Sequence, residues 1–462
     1  MRHQRNTHRP EPPARNRAES RRRWWTAGLA GMTGLTLTTT IGAAASPATG
    51  AVTHAHAHAH AHAMINELAR PTAGDRHGRD KSPDNRKAEK PKGTAVPCDA
   101  DALIAAISLA NARGGATLNL ATDCTYLLTA DLDGAGLPAI TTPITLNGGK
   151  HTTIERAAAA DQFRILTVAT GGDLTLTKLK ITGGHTLLDG GGGILVNAGG
   201  ALTTTHSTIT RNISGGGTSG GGIANLGTTR VRHSTVSHNT ATDVGGGIAS
   251  LGWLESTDST LDKNTGIIGG GLFALNATVS GGSISRNQAI RSGGFSVFLG
   301  TSQVVGTRIS RNTADAIGGV GVEGGGQLTL RHVSVTDNTA QNVGGVFVQG
   351  GMGVDSDAVI EDSTIKGNST TALGGGLLNE GQTVLRRTQV LGNQADQGGG
   401  VFNSVLGRLT LFTTKVVGNI AVTEGGGILN LPGGTVNLNT ATGTVVVKNR
   451  PENCVNVPGC SG

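Results

Sequence analysis

The stretch that decides the fold runs from Gly220 to Asn239 and reads GGGIANLGTTRVRHSTVSHN. It opens with glycines and an apolar residue, and it closes with an aliphatic residue, two further residues and an asparagine. The chain carries ten such copies, at steps of 23 to 31 residues. A repeat of this length is the signature of a solenoid. The closing asparagines are Asn212, Asn239, Asn264, Asn287, Asn312, Asn338, Asn368, Asn393, Asn419 and Asn449.

Within each copy, apolar or small residues alternate with polar ones, as in Gln327-Leu328-Thr329-Leu330. This alternation indicates strands. Three short strands and tight turns fit about 25 residues, and glycines such as Gly246 are expected to supply positive φ at the turns. Asparagine tolerates the left-handed conformation at a bend. Stacked asparagine side chains can also hydrogen-bond from coil to coil, so the closing asparagines are expected to form an amide ladder.

The predicted fold is therefore all-β: a single-stranded, right-handed parallel β-helix of about 13 coils with strands spaced as in a parallel sheet. The amphipathic segment from Asp99 to Arg113 is followed by Gly114, which is typical of a helix end. We expect this helix to cap the N-terminal end of the solenoid, because the open end of a repeat stack must be covered. The coils then fill residues 114–450, and the whole domain spans 97–462.

The first 96 residues differ in kind from the repeats. Residues 1–45 have the pattern of an export signal, with eight arginines before a mildly apolar run and Ala43-Ala44-Ala45 as a cleavage site. Arg21-Arg22-Arg23 leaves the twin-arginine route and the general secretory route both open. Residues 46–96 have the composition of a disordered linker. Its five alternating histidines, from His54 to His62, fit either a metal-binding tract or repeat slippage in a tolerant linker.

The net charge of +7 belongs to this N-terminal part. Residues 1–96 hold 16 Lys and Arg against 7 Asp and Glu, whereas the rest holds 22 against 24. The basic balance therefore gives no support for a nucleic-acid-binding domain.

The four cysteines lie near the two ends of the predicted solenoid. An even count in an exported chain favours two local disulfides, Cys98–Cys124 and Cys454–Cys460. Each would hold an end of the stack, where fraying begins. No CxxC spacing or clustered histidine accompanies them, so the sequence predicts neither a metal site nor any cofactor.

Over residues 190–450, the pattern of Gly-Gly-x-aliphatic followed by aliphatic-x-x-Asn resembles the repeat of polymorphic outer-membrane proteins, within the pectate-lyase-like β-helix superfamily. The segment from Cys98 to Gly184 is similar to the start of bacterial exported proteins of that kind. Two departures stand out: an aliphatic residue replaces the usual Phe before x-x-Asn, and no transporter barrel follows Cys460. The resemblance implies the fold and a secreted or cell-wall-associated setting, and it fixes no activity.

Catalysis on such a rod requires clustered acids, a calcium ion or a basic residue on one face. The best acid pair is Asp396 and Glu424, which precede the triple glycines of adjacent coils. Adjacent-coil spacing is expected to bring their carboxylates roughly 5 Å apart, within the range of glycosidase geometry. These two residues are the only catalytic candidates, and a coincidence of two acids on polar turns is the simpler explanation.

The residue before the ladder asparagine is basic in five consecutive coils. If these positions stack, they form a stripe about 20 Å long that suits an anionic polysaccharide or cell-wall polymer. Exposed polar positions of a repeat are the simpler alternative. The stripe consists of Arg211, His238, Lys263, Arg286 and Arg311.

A column of apolar residues follows the opening glycines, including Phe273, Phe347, Leu378 and Phe402. It is either an exposed partner surface or the underside of a loop. Two functions remain for the whole chain: a non-catalytic extracellular rod that binds or adheres to a surface polymer or protein, or a polysaccharide lyase or glycoside hydrolase. The absence of convergent acids across ten copies favours the non-catalytic rod, without a transmembrane domain in the mature chain.

Overall fold

The computed structural model describes residues 93–217, 219–351 and 353–461. The predicted export signal, almost all of the predicted linker and the alternating histidines lie outside these residues. The described chain forms an all-β parallel solenoid of about 14 turns. The predicted stack of parallel coils is therefore confirmed.

Each regular coil contributes a strand to each of three faces, which we call faces A, B and C in chain order from the opening glycines. Faces A and B are joined as one 24-stranded sheet, because Ile248–Thr257 and Leu272–Ser280 run through both. The other strands of face A are Leu166–Val168, Ile194–Val196, Ile223–Asn225, Phe295–Phe298, Val320–Glu323, Val346–Val348, Leu377–Asn379, Val401–Asn403, Ile428–Asn430 and Cys454–Val455. Those of face B are Thr94–Val96, Ala116–Leu120, Pro143–Asn147, Asp173–Thr177, Ala201–Thr205, Thr228–Arg232, Thr301–Val305, Gln327–Arg331, Asp357–Glu361, Gln382–Arg386, Arg408–Phe412 and Thr435–Asn437.

Face C is a separate sheet of 13 three- and four-residue strands. Its strands are Thr125–Leu128, Thr153–Arg156, Lys180–Thr182, Thr208–Thr210, Thr235–Ser237, Thr260–Asp262, Ser283–Ser285, Arg308–Ser310, Ser334–Thr336, Thr364–Lys366, Gln389–Leu391, Lys415–Val417 and Val445–Val447.

Short strands after the ladder asparagines form two further sheets beside face A. They are His185–Thr186, Ile213–Ser214, Thr240–Ala241, Gln288–Ala289, Thr313–Ala314, Thr339–Ala340, Ser369–Thr370, Gln394–Gln397 and Ile420–Glu424. A 3-10 turn, Thr440–Thr442, lies near the C-terminal end.

The helix spans Ala100–Ala112 and packs on the first coil. Asp99 caps it by accepting a 2.8 Å hydrogen bond from the backbone N–H of Ala102. Leu103 and Ile107 are fully buried in the same core cluster as the interior of the coils. The helix thus covers the apolar end of the stack, in the place where the sequence predicts a cap.

Both predicted disulfides are present. Cys98 bonds to Cys124 with their Cα atoms 5.7 Å apart, and Cys454 bonds to Cys460 with a Cα separation of 6.2 Å. They tie down the first and the last coil.

The closing asparagines are buried and hydrogen-bonded from coil to coil. The Asn239 side chain donates from Nδ2 to Asn264 Oδ1 at 3.0 Å and to the carbonyl of Ile209 at 3.0 Å. The same Asn264 Oδ1 accepts the backbone N–H of Asn239 at 3.0 Å. This arrangement repeats from Asn212 to Asn449, so each amide side chain satisfies backbone groups that the bend would otherwise leave unpaired.

A second, hydroxyl ladder lies at the opposite corner of face C and is absent from the sequence-based prediction. The hydroxyl of Ser234 accepts the backbone N–H of Ser207 at 3.1 Å, and that of Ser259 accepts the N–H of Ser234 at 3.1 Å. The signal was available in the repeat, because a buried Ser or Thr stands five residues before most of the ladder asparagines.

Gly246 does not supply the positive φ that the sequence analysis expects of it. Positive φ occurs at Gly245 (65°), whereas Gly246 is required by space: a Cβ on it would lie 2.4 Å from the carbonyl carbon and oxygen of Thr265. Residues of adjacent coils therefore approach too closely for any side chain at this position.

The apolar column of face A is the underside of a loop layer. Leu378 and Phe402 are only 7% and 4% exposed, and they form a second hydrophobic cluster with Ile317 and Val343 from the segments that precede the opening glycines. Phe298 is more exposed, at 37%. The alternation correctly predicts that these side chains leave the central core, and in the later coils a second layer covers them.

Candidate functional site

The corner between face C and the ladder is built by a seven-residue unit, of which His233-Ser234-Thr235-Val236-Ser237-His238-Asn239 is one copy. The strand Thr235–Ser237 is flanked by His233 and His238, which have φ of 46° and 55°. Two left-handed residues, one at each end of a three-residue strand, turn the chain sharply into and out of face C.

The five basic residues all occupy the second of these left-handed positions, with φ between 54° and 56°. They lie in register, because the backbone N–H of Arg211 bonds to the coil that carries His238, and this pattern continues to Arg311. All five are exposed. At the coil spacing of a parallel sheet, they form a column about 20 Å long, which we call the basic column. It consists of Arg211, His238, Lys263, Arg286 and Arg311.

One carboxylate neutralises part of the basic column. Asp262, only 7% exposed, accepts two hydrogen bonds from Arg286, at 2.7 Å to Nε and 2.9 Å to Nη2. This pair raises the pKa of Arg286 above its ordinary value. Within residues 93–217, 219–351 and 353–461, Arg211, Lys263 and Arg311 form no ion pair. The column therefore keeps an excess of positive charge.

The column ends abruptly. Asp337 takes the equivalent position after Arg311, and Gly367, Gly392 and Gly418 follow in the next three coils, all with positive φ. Glycine therefore satisfies the fold at this corner without any side chain.

Face C next to the basic column is lined with hydroxyl groups. Thr208, Thr235, Thr260 and Ser283 occupy one row in register, and all are partly exposed. These side chains can donate and accept hydrogen bonds, so the strip beside the cations suits a polyhydroxylated ligand.

The other border of this strip carries histidines that sequence reasoning missed. His206 and His233 take the first left-handed position of their units, and their rings stack with centroids 5.1 Å apart and planes inclined by 13°. Lys178 precedes them in the same column and Asp258 follows. The signal available in the sequence was the residue six positions before each ladder asparagine, which also has left-handed backbone.

The acid pair predicted as a catalytic candidate is not in register. The strands Gln394–Gln397 and Ile420–Glu424 shift between Ala395 and Gln397, so Glu424 pairs with Gln397 and not with Asp396. Asp396 accepts a 2.8 Å hydrogen bond from the hydroxyl of Thr423. The sequence predicts that Asp396 and Glu424 occupy equivalent positions in adjacent coils, and the strand register differs from that expectation.

The acids with the most unusual environment are Glu323 and Glu380, which are two coils apart on face A. Burial raises the pKa of Glu323, opposed by Arg291, whose Nε lies 2.8 Å from Glu323 Oε1. Burial also raises the pKa of Glu380, with a smaller contribution from the charge of Glu323. Glu323 is only 2% exposed and held by a guanidinium, an arrangement typical of a structural carboxylate.

Within the described parts of the chain, no group of three or more His, Cys, Asp or Glu side chains could hold a metal ion. In the same residues, no helix is long and apolar enough to cross a bilayer. Comparison with family models, with curated proteins and with solved structures finds no significant match to this chain. The resemblance to polymorphic outer-membrane repeats therefore rests on the repeat pattern alone.

Proposed function

We propose that this chain is an extracellular, non-catalytic solenoid that binds an acidic surface polymer along the basic column. The export pattern of residues 1–45 and the two disulfides support a location outside the cell. The repeat resemblance supports a bacterial exported protein, secreted or associated with the cell wall. A polysaccharide with carboxylate or sulfate groups is the ligand class that this surface favours.

The observation that carries the proposal is the backbone conformation of the basic column. A side chain in left-handed backbone costs about 1 kcal/mol or more relative to glycine. The fold accepts glycine at this position, as Gly367, Gly392 and Gly418 demonstrate. Five consecutive coils nevertheless carry long side chains there, four of them Arg or Lys and one His. Like charges one coil apart also repel, and a polyanion would relieve that repulsion.

The test is binding of the full chain to dextran sulfate and to neutral dextran, which share a backbone and differ in charge, at 50 mM and 300 mM salt. We expect binding to dextran sulfate that weakens with salt, and none to dextran. A polyuronate tested in parallel separates carboxylate from sulfate recognition. Product release is monitored in the same samples, since unsaturated or reducing-end products from the polyuronate would favour a lyase or hydrolase instead.

The variant for this test is the triple substitution Arg211→Gly, Lys263→Gly and Arg311→Gly. Glycine removes the charge and relaxes the left-handed backbone, so the fold should keep its stability while the affinity falls at least about tenfold. Lys448→Gly is the matched control, because Lys448 has the same left-handed conformation (φ 60°) before its ladder asparagine but lies five coils beyond Arg311, where the basic column ends. Equal loss of binding in both variants, or in neither, would exclude the basic column as the binding site.

A further inference from the structure

The strip of hydroxyl groups on face C has two borders, and both carry groups that can be cationic. On one side lies the basic column. On the other lie His206 and His233, exposed and stacked with ring centroids 5.1 Å apart. The two borders are five residues apart along the chain, on the order of 15 Å at strand geometry.

The surroundings of the two histidines are mixed in charge. Lys178 lies one coil before His206 in the same column, and Arg232 directly precedes His233 in sequence. On the acidic side, Asp258 lies 4.0 Å from His233 Nδ1, and Glu255 accepts a 3.0 Å hydrogen bond from Arg232 while also lying 3.5 Å from Arg230. These three cations and two carboxylates leave one positive charge in excess.

Protonation of both imidazoles would place two positive charges on stacked rings. Imidazole gains its charge in the range between pH 5 and 8, and two adjacent imidazolium groups repel each other unless an anion lies near both. Proton binding and anion binding at this border are therefore coupled, and each must strengthen the other.

We propose that His206 and His233 form a second binding border. The anionic polymer then lies over face C, parallel to the solenoid axis, and contacts the basic column on one side and the protonated histidines on the other. This inference rests on the proposed function, and it deepens it by naming the residues that orient the ligand and tighten binding at acidic pH.

Dextran sulfate is the probe for the test, because its sulfate groups stay ionised throughout and any pH dependence then comes from the protein. We expect the affinity of the full chain to rise about 5- to 10-fold between pH 8 and pH 5.5. Calorimetry in buffers of different ionisation enthalpy should detect proton uptake on binding at pH 6.5.

The variant is the double substitution His206→Asn and His233→Asn, since asparagine tolerates the left-handed backbone. It should lose most of the gain in affinity at low pH and most of the proton uptake. His332→Asn is the matched control: His332 has the same corner conformation (φ 54°), but the basic column does not extend to its coil. The alternating histidines of the N-terminal region are present in every variant and so cancel in the comparison.

The possible outcomes separate this inference from the proposed function. If binding at pH 8 depends on Arg211, Lys263 and Arg311 but the double variant keeps the full pH gain, the second border is wrong and the basic column stands. If the full chain does not bind dextran sulfate at either pH, both proposals fail. Loss of the pH gain in the double variant, with retention in the His332 variant, supports the second border.

Discussion

Two halves of the solenoid use the same corner in opposite ways. In the coils from Arg211 to Arg311, the left-handed residue before the ladder asparagine is basic; from Gly367 to Gly418 it is glycine. The asparagine ladder runs through both halves with the same hydrogen bonds. The fold therefore requires the backbone conformation and the amide, while the side chain at this corner is free to serve another purpose. The comparison separates what stabilises the rod from what its surface can bind.

The largest expected effect tests whether the asparagine ladder contributes equally to stability in the basic coils and in the glycine coils. Asn287→Ala in the basic half and Asn393→Ala in the glycine half each remove the same set of buried hydrogen bonds, including those to Asn312 and Asn419. Each should lower the free energy of unfolding by about 3 kcal/mol or more, because buried backbone groups lose their partners. Denaturant titration provides the measurement. A loss that is much larger at Asn287 would mean that the basic column takes part in folding.

A smaller effect is expected from extending the basic column into the glycine half. A Cβ at Gly392 or Gly418 meets no atom within 4 Å, whereas one at Gly367 would lie 2.8 Å from Asp337 Oδ1. Gly392→Lys combined with Gly418→Lys should reduce stability by about 1 kcal/mol per substitution and strengthen salt-sensitive binding to dextran sulfate. The control, Gly392→Ser with Gly418→Ser, has the same backbone strain without charge. If the serine variant also binds more tightly, charge is not the determinant.

Within the basic half, Asp262→Asn removes the carboxylate that pairs with Arg286 and so increases the difference in net charge between the two halves. Removing one negative charge from the column is expected to raise the affinity for dextran sulfate about two- to threefold. Loss of the bidentate pair should lower stability only slightly, because Arg286 is half exposed and the pair is partly screened. Asp315→Asn, an exposed carboxylate outside the column, is the control. Unchanged affinity in the Asp262 variant would contradict the role of net charge.

The smallest expected effect is on the pH dependence of stability and involves the buried side chain of Glu380. Burial raises the pKa of Glu380 above the ordinary value of 4.5, so the folded chain holds this proton more tightly than the unfolded chain. The contribution of Glu380 to stability is therefore fully present below about pH 4.5 and is lost as the pH rises through the raised pKa. Glu380→Gln should flatten the fall of the melting temperature as the pH rises from 4.5 to 7. Glu424→Gln is the comparison, and equal flattening in both would contradict the assignment to Glu380.

The sequence by itself determined the parallel solenoid, the helix at its N-terminal end, both disulfides and the stacked asparagines. These follow from local, periodic signals: glycine where coils approach too closely for a side chain, asparagine where a bend leaves backbone groups unpaired, and alternation along each strand. Because every coil repeats the same environment, a residue type at a fixed offset has one structural meaning, and a single copy such as Gly220 to Asn239 is enough to interpret it.

Tertiary structure alone decided which side chains of different coils meet. The stacking of His206 on His233, the pairing of Asp262 with Arg286 and the shift that separates Asp396 from Glu424 all depend on register between coils. So does the burial of Phe402 beneath a second layer. Coil lengths vary by several residues, and an inserted residue or bulge, such as the shift between Ala395 and Gln397, changes the lateral contacts at its own position. The repeat fixes the position of each residue within its coil, whereas the packing of coils fixes its neighbours.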